Sequence, residues 1–168
     1  MLNSNWDIQL QEELSPESLC KIIENECQPA IKATCKKIAH YFDEEPNREL
    51  PVAVSELVQL IFAKLQDELQ HLFLKESGIL FPGIKKHDPD FLVEPRLSEN
   101  IHQTQKIIVN LLLKLRQLLN NYVIHPEWSK EWKTCVNEIF QLENKVHQWI
   151  YIEQSLLYPV ITRKTDSL

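Results

Sequence analysis

The most constraining feature of this sequence is a set of four long segments in which apolar residues recur every three or four positions. That spacing places the apolar side chains on one face of an α-helix, because a helical turn holds about 3.6 residues. The first segment opens at Ser15 and Pro16, an N-cap serine followed by proline at the first helical position. Pro29 lies inside it and predicts a kink near Cys27. The inward stripe of this segment is Cys20, Ile23, Cys27, Ile31, Thr34 and Ile38.

The other three segments show the same periodicity. We expect the second helix to run from about Pro51 into the Phe81-Pro82 region. The third is expected to open near Ser98, and the fourth to start around Pro126 and to end before Pro159. The predicted inward stripes are Val54, Leu57, Val58, Ile61, Leu65, Leu69 and Leu72; Ile101, Ile108, Leu111, Leu112, Leu115 and Leu119; and Trp132, Val136, Ile139, Phe140, Val146, Trp149 and Leu156.

Proline-rich connections separate these segments, and the longest of them, 83–97, lies in the middle of the chain. No stretch alternates between apolar and polar residues as a β-strand does. Four amphipathic helices with one long middle loop predict an all-α fold, an antiparallel four-helix bundle. We expect one domain over residues 1–168, in which residues 1–14 form an N-terminal extension.

Composition narrows the classes of function. The chain has only 2 glycines against 9 prolines, so a glycine-rich phosphate-binding loop cannot be built. The net charge of −6 offers no basic face for nucleic acid. No apolar run approaches the ~18 residues that span a bilayer, so no membrane association is predicted.

Cysteine spacing and the first residues of the chain indicate a compartment. Cys20, Cys27, Cys35 and Cys135 include no C-x-x-C pair, which excludes a zinc knuckle. Residues 1–7 lack the basic and apolar regions of a secretory signal. We therefore expect reduced thiols and a cytoplasmic protein.

Two helical segments end in similar sequences, at 71–82 and 147–159, each with a glutamate a few residues before Leu-Phe-Pro or Leu-Tyr-Pro. These endings resemble the H-x-x-x-E-x-x-x-L-F-P motif that occurs twice in hemerythrin-like proteins. The stretch 115–122, with Pro126 and Trp132 after it, resembles another landmark of that family, and 47–50 lies where the family has H-P-E-L. The resemblance covers residues 15–162 and is closest to the di-iron proteins for repair of iron centres, which act on stress-damaged iron–sulfur clusters.

The resemblance implies a metal layer made of histidines with glutamates four residues later. Glu76 and Glu153 fall on the two glutamate positions. The four histidine positions fall on Leu72, Trp149, Gln105 and, in the first helix, near Cys27 or Gln28. We therefore expect a vestigial site layer with no metal and no catalytic residue, composed of Cys27, Leu72, Glu76, Gln105, Trp149 and Glu153.

Two questions about this layer stay open at the level of sequence. The glutamates either reach solvent, form a buried polar cluster in which at least one carboxyl has a raised pKa, or hold a metal or small ligand. A rearranged metal site would need histidines that lie near the expected positions but not on them. Those histidines are His40, His71, His102 and His147.

The sequence thus supports a first hypothesis and leaves others open. In the first, the chain is a metal-free, non-catalytic interaction or regulatory module that pairs with itself or with another protein. In the alternative that the family resemblance implies, it is a non-haem di-iron protein of oxidative or nitrosative stress. A third reading is a small-molecule binder that uses the former metal layer.

Overall fold

A computed structural model describes residues 15–44, 49–86, 88 and 90–162 of the chain. This part of the chain contains four long helices and no β-strand, so the all-helical prediction is confirmed. The expected extension over residues 1–14 and the positions Asn47 and Arg48 lie outside the described residues. The helices are α1 (Pro16–Ile22, π-helical turn Ile23–Cys27, Gln28–Glu44), α2 (Val52–Lys75, π-helical turn Glu76–Leu80, Phe81–Lys85), α3 (Pro95–Leu118) and α4 (Lys130–Tyr151, π-helical turn Ile152–Leu157, Tyr158–Ile161).

The helix starts follow local capping chemistry. Ser15 caps α1, and its side chain accepts a hydrogen bond from the Ser18 N–H at 3.1 Å, as the Ser-Pro pair predicts. Helix α4 starts at Lys130 and not around Pro126, because Ser129 is the residue that caps it. Helix α3 starts at Pro95 and not near Ser98, since proline fits the first turn of a helix.

Three prolines lie inside helices, and each comes two residues after the end of a π-helical turn. The prolines are Pro29 in α1, Pro82 in α2 and Pro159 in α4. Proline has no N–H, and in a regular helix its ring clashes with the carbonyl four residues earlier. We attribute the continuation of each helix to the extra residue of the π-turn, which changes the hydrogen-bond register just before the proline. The prediction that the fourth helix ends before Pro159 is therefore wrong, since α4 continues to Ile161.

All four helices contribute to one apolar core. Helix α2 packs along α3, and α1 packs along α4. The start of α1 also contacts the end of α2 and the π-turn of α4, so these turns lie at one end of the molecule. Two predicted core positions are wrong: Leu57 is 43% exposed and Phe140 36% exposed, because both lie at the edge of their stripes.

Polar contacts join neighbouring helices around this core. Arg116 on α3 donates to both carboxylate oxygens of Glu143 on α4, at 3.0 to 3.2 Å. Lys85 at the end of α2 pairs with Glu24 on α1 at 2.5 Å. Within the described ranges, no helix combines the length and the apolar character needed to cross a bilayer.

The two glycines provide a matched test of packing near the end of α2. A methyl group on Gly83 would overlap the Phe91 ring, whereas one on Gly78 would meet no neighbour. We expect Gly83→Ala to lower the free energy of unfolding by about 1–3 kcal/mol, because Phe91 must move. Gly78→Ala should raise it by about 0.5–1 kcal/mol through helix propensity. Urea titrations followed by circular dichroism measure both, and equal effects of the two variants would contradict this packing.

Candidate functional site

The structure brings the six predicted layer residues into the core. Glu76 and Glu153 are each 0% exposed, so the solvent-facing alternative is wrong. Glu76 is the first residue of the π-turn in α2, and Glu153 is the second residue of the π-turn in α4. All six side chains of the layer are buried, namely Cys27, Leu72, Glu76, Gln105, Trp149 and Glu153.

Glu153 is held by two donors from the same layer. The indole Nε1 of Trp149 donates to one carboxylate oxygen at 2.5 Å, and the amide Nε2 of Gln105 donates to the other at 2.5 Å. Gln154 in turn donates to the side-chain oxygen of Gln105. The Trp149 ring also packs edge-on against Phe73, with ring centroids 5.1 Å apart. An indole and an amide therefore each donate to one of the two oxygens with which Glu153 would bind a metal ion.

Glu76 has a different environment. Neither of its carboxyl oxygens accepts a well-aligned hydrogen bond from a described residue. Gln28 of α1 and Glu153 lie close enough to influence its protonation. The Gln28 side-chain oxygen accepts a hydrogen bond from the Ser77 hydroxyl at 3.4 Å. A protonated Glu76 satisfies this arrangement best, because its O–H can donate to the neighbouring Glu153 carboxylate.

The directions of the pKa shifts of Glu76 and Glu153 agree with this geometry. Burial, and then the charge of Glu153, raise the pKa of Glu76 well above its ordinary value. Burial raises the pKa of Glu153 to about 7, although hydrogen bonds from Glu76, Trp149 and Gln105 lower it. No Lys, Arg or His side chain of the described ranges contributes to either shift. The two carboxyl groups therefore form a coupled pair in which burial favours the protonated forms.

The thiols and the phenol beside the pair are neutral. Burial, followed by the charges of Glu153 and Glu26, raises the pKa of Cys27 to about 12. Burial is also the main cause that raises the pKa of Cys20 to about 12. Burial, and then Glu153 and Glu76, raise the pKa of the Tyr158 hydroxyl, which has no hydrogen-bond partner among the described residues. These protonated groups are poor nucleophiles, because a thiol reacts as its thiolate.

Sequence reasoning missed part of this cluster. It did not identify Gln154, Ser77 and Tyr158, and it gave Gln28 only as an alternative to Cys27. A signal for two of them was present, since Gln28 and Tyr158 each directly precede a proline that follows a π-turn. Ile23 of α1 occupies the position equivalent to Glu76 of α2 and Glu153 of α4, because each of the three lies six residues before the proline of its helix.

The four near-miss histidines are not part of the layer. His40, His71, His102 and His147 are all exposed. His40 lies 3.2 Å from Glu44, and His147 lies 3.7 Å from Glu143, so each is near a carboxylate of its own helix. No group of three or more His, Cys, Asp or Glu side chains in the described part of the chain is arranged to hold a metal ion.

The donor set of the layer does not fit a di-iron centre. Iron sites of this kind combine carboxylates with neutral imidazole nitrogens. Here Leu72 and Trp149 offer no lone pair, and Gln105 donates to Glu153.

Comparison of the chain with protein-family models and with curated protein sequences gives no match. The arrangement can hold and release a proton, and it joins residues of all four helices.

The carboxyl pair predicts that the folded state becomes less stable as the pH rises. Both folded-state pKa values lie above the ordinary value of 4.5, so the folded chain binds more protons than the unfolded chain above that pH. The free energy of unfolding should be greatest near pH 4.5 and fall as the pH rises toward 7 and beyond. The slope from this pair is at most about 1.4 kcal/mol per pH unit for each proton.

Two variants distinguish the contribution of this pair to the pH dependence from that of the other titrating groups. Glu76→Gln keeps the shape and can still donate to Glu153, so it should reduce the slope and stabilise the fold by about 1–3 kcal/mol above neutral pH. Glu99→Gln replaces an exposed glutamate and should leave the slope as in the wild type. Urea midpoints measured at several pH values test this, and an unchanged slope in Glu76→Gln would contradict a shared proton.

Proposed function

We propose that the chain is a hemerythrin-like antiparallel four-helix bundle without a di-iron site, and that it acts as a non-catalytic interaction module. The observation that carries the proposal is the state of Glu153. Its two oxygens accept hydrogen bonds from the Trp149 indole and the Gln105 amide, which stand at positions where the family resemblance implies imidazole ligands.

Helix contacts support the antiparallel arrangement. The start of α1 packs against the end of α2 and the π-turn of α4, as antiparallel neighbours would. The backbone N–H of Ser129, which precedes α4, donates to Glu49, which precedes α2. The N–H of Val93, just before α3, donates to the carbonyl of Ile161 at the end of α4 at 3.2 Å. These contacts support an arrangement in which α2 and α4 start at one end and α3 starts at the other.

The chemistry of the core supports a non-catalytic role. The layer offers protonated thiols, a coupled carboxyl pair and an indole, and all are enclosed by the four helices. A reaction centre needs groups that a substrate can reach. The four cysteines are free thiols, which supports the reducing cytoplasm as the place where the module acts. A protein partner, including a second copy of the chain, is therefore the partner class we propose.

Iron loading tests the proposal directly. The purified chain is loaded with ferrous iron without oxygen, desalted and analysed by mass spectrometry of the metal. We expect iron well below one atom per chain and no near-ultraviolet absorption of an oxo-bridged pair after exposure to air. Two iron atoms per correctly folded chain would overturn the proposal.

A variant that restores imidazoles provides the control. Leu72→His combined with Trp149→His places imidazoles one turn before Glu76 and Glu153. If the layer descends from a metal site, cobalt(II) should bind this double variant and give visible absorption that the wild type lacks. The same substitutions at the exposed Leu74 and Tyr151 should not bind cobalt(II). Circular dichroism confirms that both double variants are folded, and equal binding by the two would contradict the proposed layer.

A further inference from the structure

The outward face of α2 carries apolar side chains that no described element covers. Leu60 is 68% exposed and Leu57 is 43% exposed, and the alanines Ala53 and Ala63 are also exposed. Single exposed leucines are common in folded proteins, but these four lie at spacings of three and four and so form one stripe along the helix. We call this stripe the α2 outer face.

Two opposite charges lie symmetrically about Leu60 on this helix. Glu56 lies four residues before Leu60, and Lys64 lies four residues after it. Both are exposed, and neither forms an ion pair with another described residue. Within one helix, residues eight apart do not meet, since a turn holds about 3.6 residues.

We propose that the α2 outer face binds a second copy of the same chain in a two-fold antiparallel contact centred on Leu60. In this pairing Leu60 meets Leu60 of the second copy, and Leu57 meets Ala63. Glu56 of each copy then lies opposite Lys64 of the other, so two equivalent ion pairs close the contact. A leucine opposite an alanine lets the helices approach closely, as ridges pack into grooves.

The positions of Glu56 and Lys64 are self-complementary, so they favour a second copy of this chain in the antiparallel orientation. A parallel pairing would bring Glu56 against Glu56 and Lys64 against Lys64, which costs free energy. In the antiparallel pairing, Glu56 of each copy faces Lys64 of the other, so both charge contacts are attractive. A contact made by one helix from each copy is small, so we expect a reversible dimer with a dissociation constant in the micromolar range. This inference rests on the proposed function as an interaction module, and it names the partner.

Sedimentation equilibrium over a wide range of protein concentration tests the contact. The wild type should dimerise reversibly, and Leu60→Glu should be monomeric, because it places two carboxylates on the axis. Leu113→Glu is the matched control, since Leu113 is an exposed leucine on α3, outside the α2 outer face. The control should dimerise as the wild type does.

Charge reversal tests the register. Glu56→Lys alone and Lys64→Glu alone should each weaken the dimer at least tenfold, because like charges then face each other. The combined variant E56K/K64E should restore it, since the exchanged charges again pair across the axis. A wild type that remains monomeric, a dimer indifferent to Leu60→Glu, or no restoration by the double exchange would overturn the inference. Iron content decides the proposed function separately, so failure of one is distinguishable from failure of the other.

Discussion

The structure depends most on the burial of two neighbouring carboxyl groups, those of Glu76 and Glu153, among the four helices. A buried carboxylate is costly, and no cation offsets either of these in the described part of the chain. Instead, Glu153 receives an indole N–H from its own helix and an amide from α3, while Glu76 of α2 lies beside Gln28 of α1. A buried polar network whose members come from several elements restricts the ways in which those elements can pack. The relative placement of all four helices is therefore tied to a few hydrogen bonds.

The helices and most of the core could be predicted, because apolar periodicity and capping residues act locally. The Ser15-Pro16 start is an example, since serine and proline fix a helix start whatever the rest of the chain does. The end of α4 could not be predicted by the same logic. Proline is normally a helix stop, and only the π-turn before Pro159 lets the helix continue. The predicted burial of Leu57 was also wrong, because the exposure of a residue at the edge of an apolar stripe depends on which helix lies beside it.

The candidate site was predictable in position and not in detail. Counting from the two Leu-aromatic-Pro endings places both glutamates at equivalent points of α2 and α4. Whether these carboxyl groups face solvent or the core depends on the rotation of each helix, which the extra residue of a π-turn changes. The donors depend on side-chain rotamers and on distant residues: Gln105 is 48 positions from Glu153. Periodicity places such residues at the same level but does not show which of them bond.

The enclosure of the carboxyl pair also has a kinetic consequence. Water must reach Glu76 or Glu153 before a proton can leave, and both side chains are fully covered. Local opening of a folded protein begins where the hydrogen bonding is least regular, and three π-turns lie together at one end of this molecule. We therefore expect the pair to exchange protons more slowly than an exposed carboxyl group does, because the exchange needs a local opening of the helices.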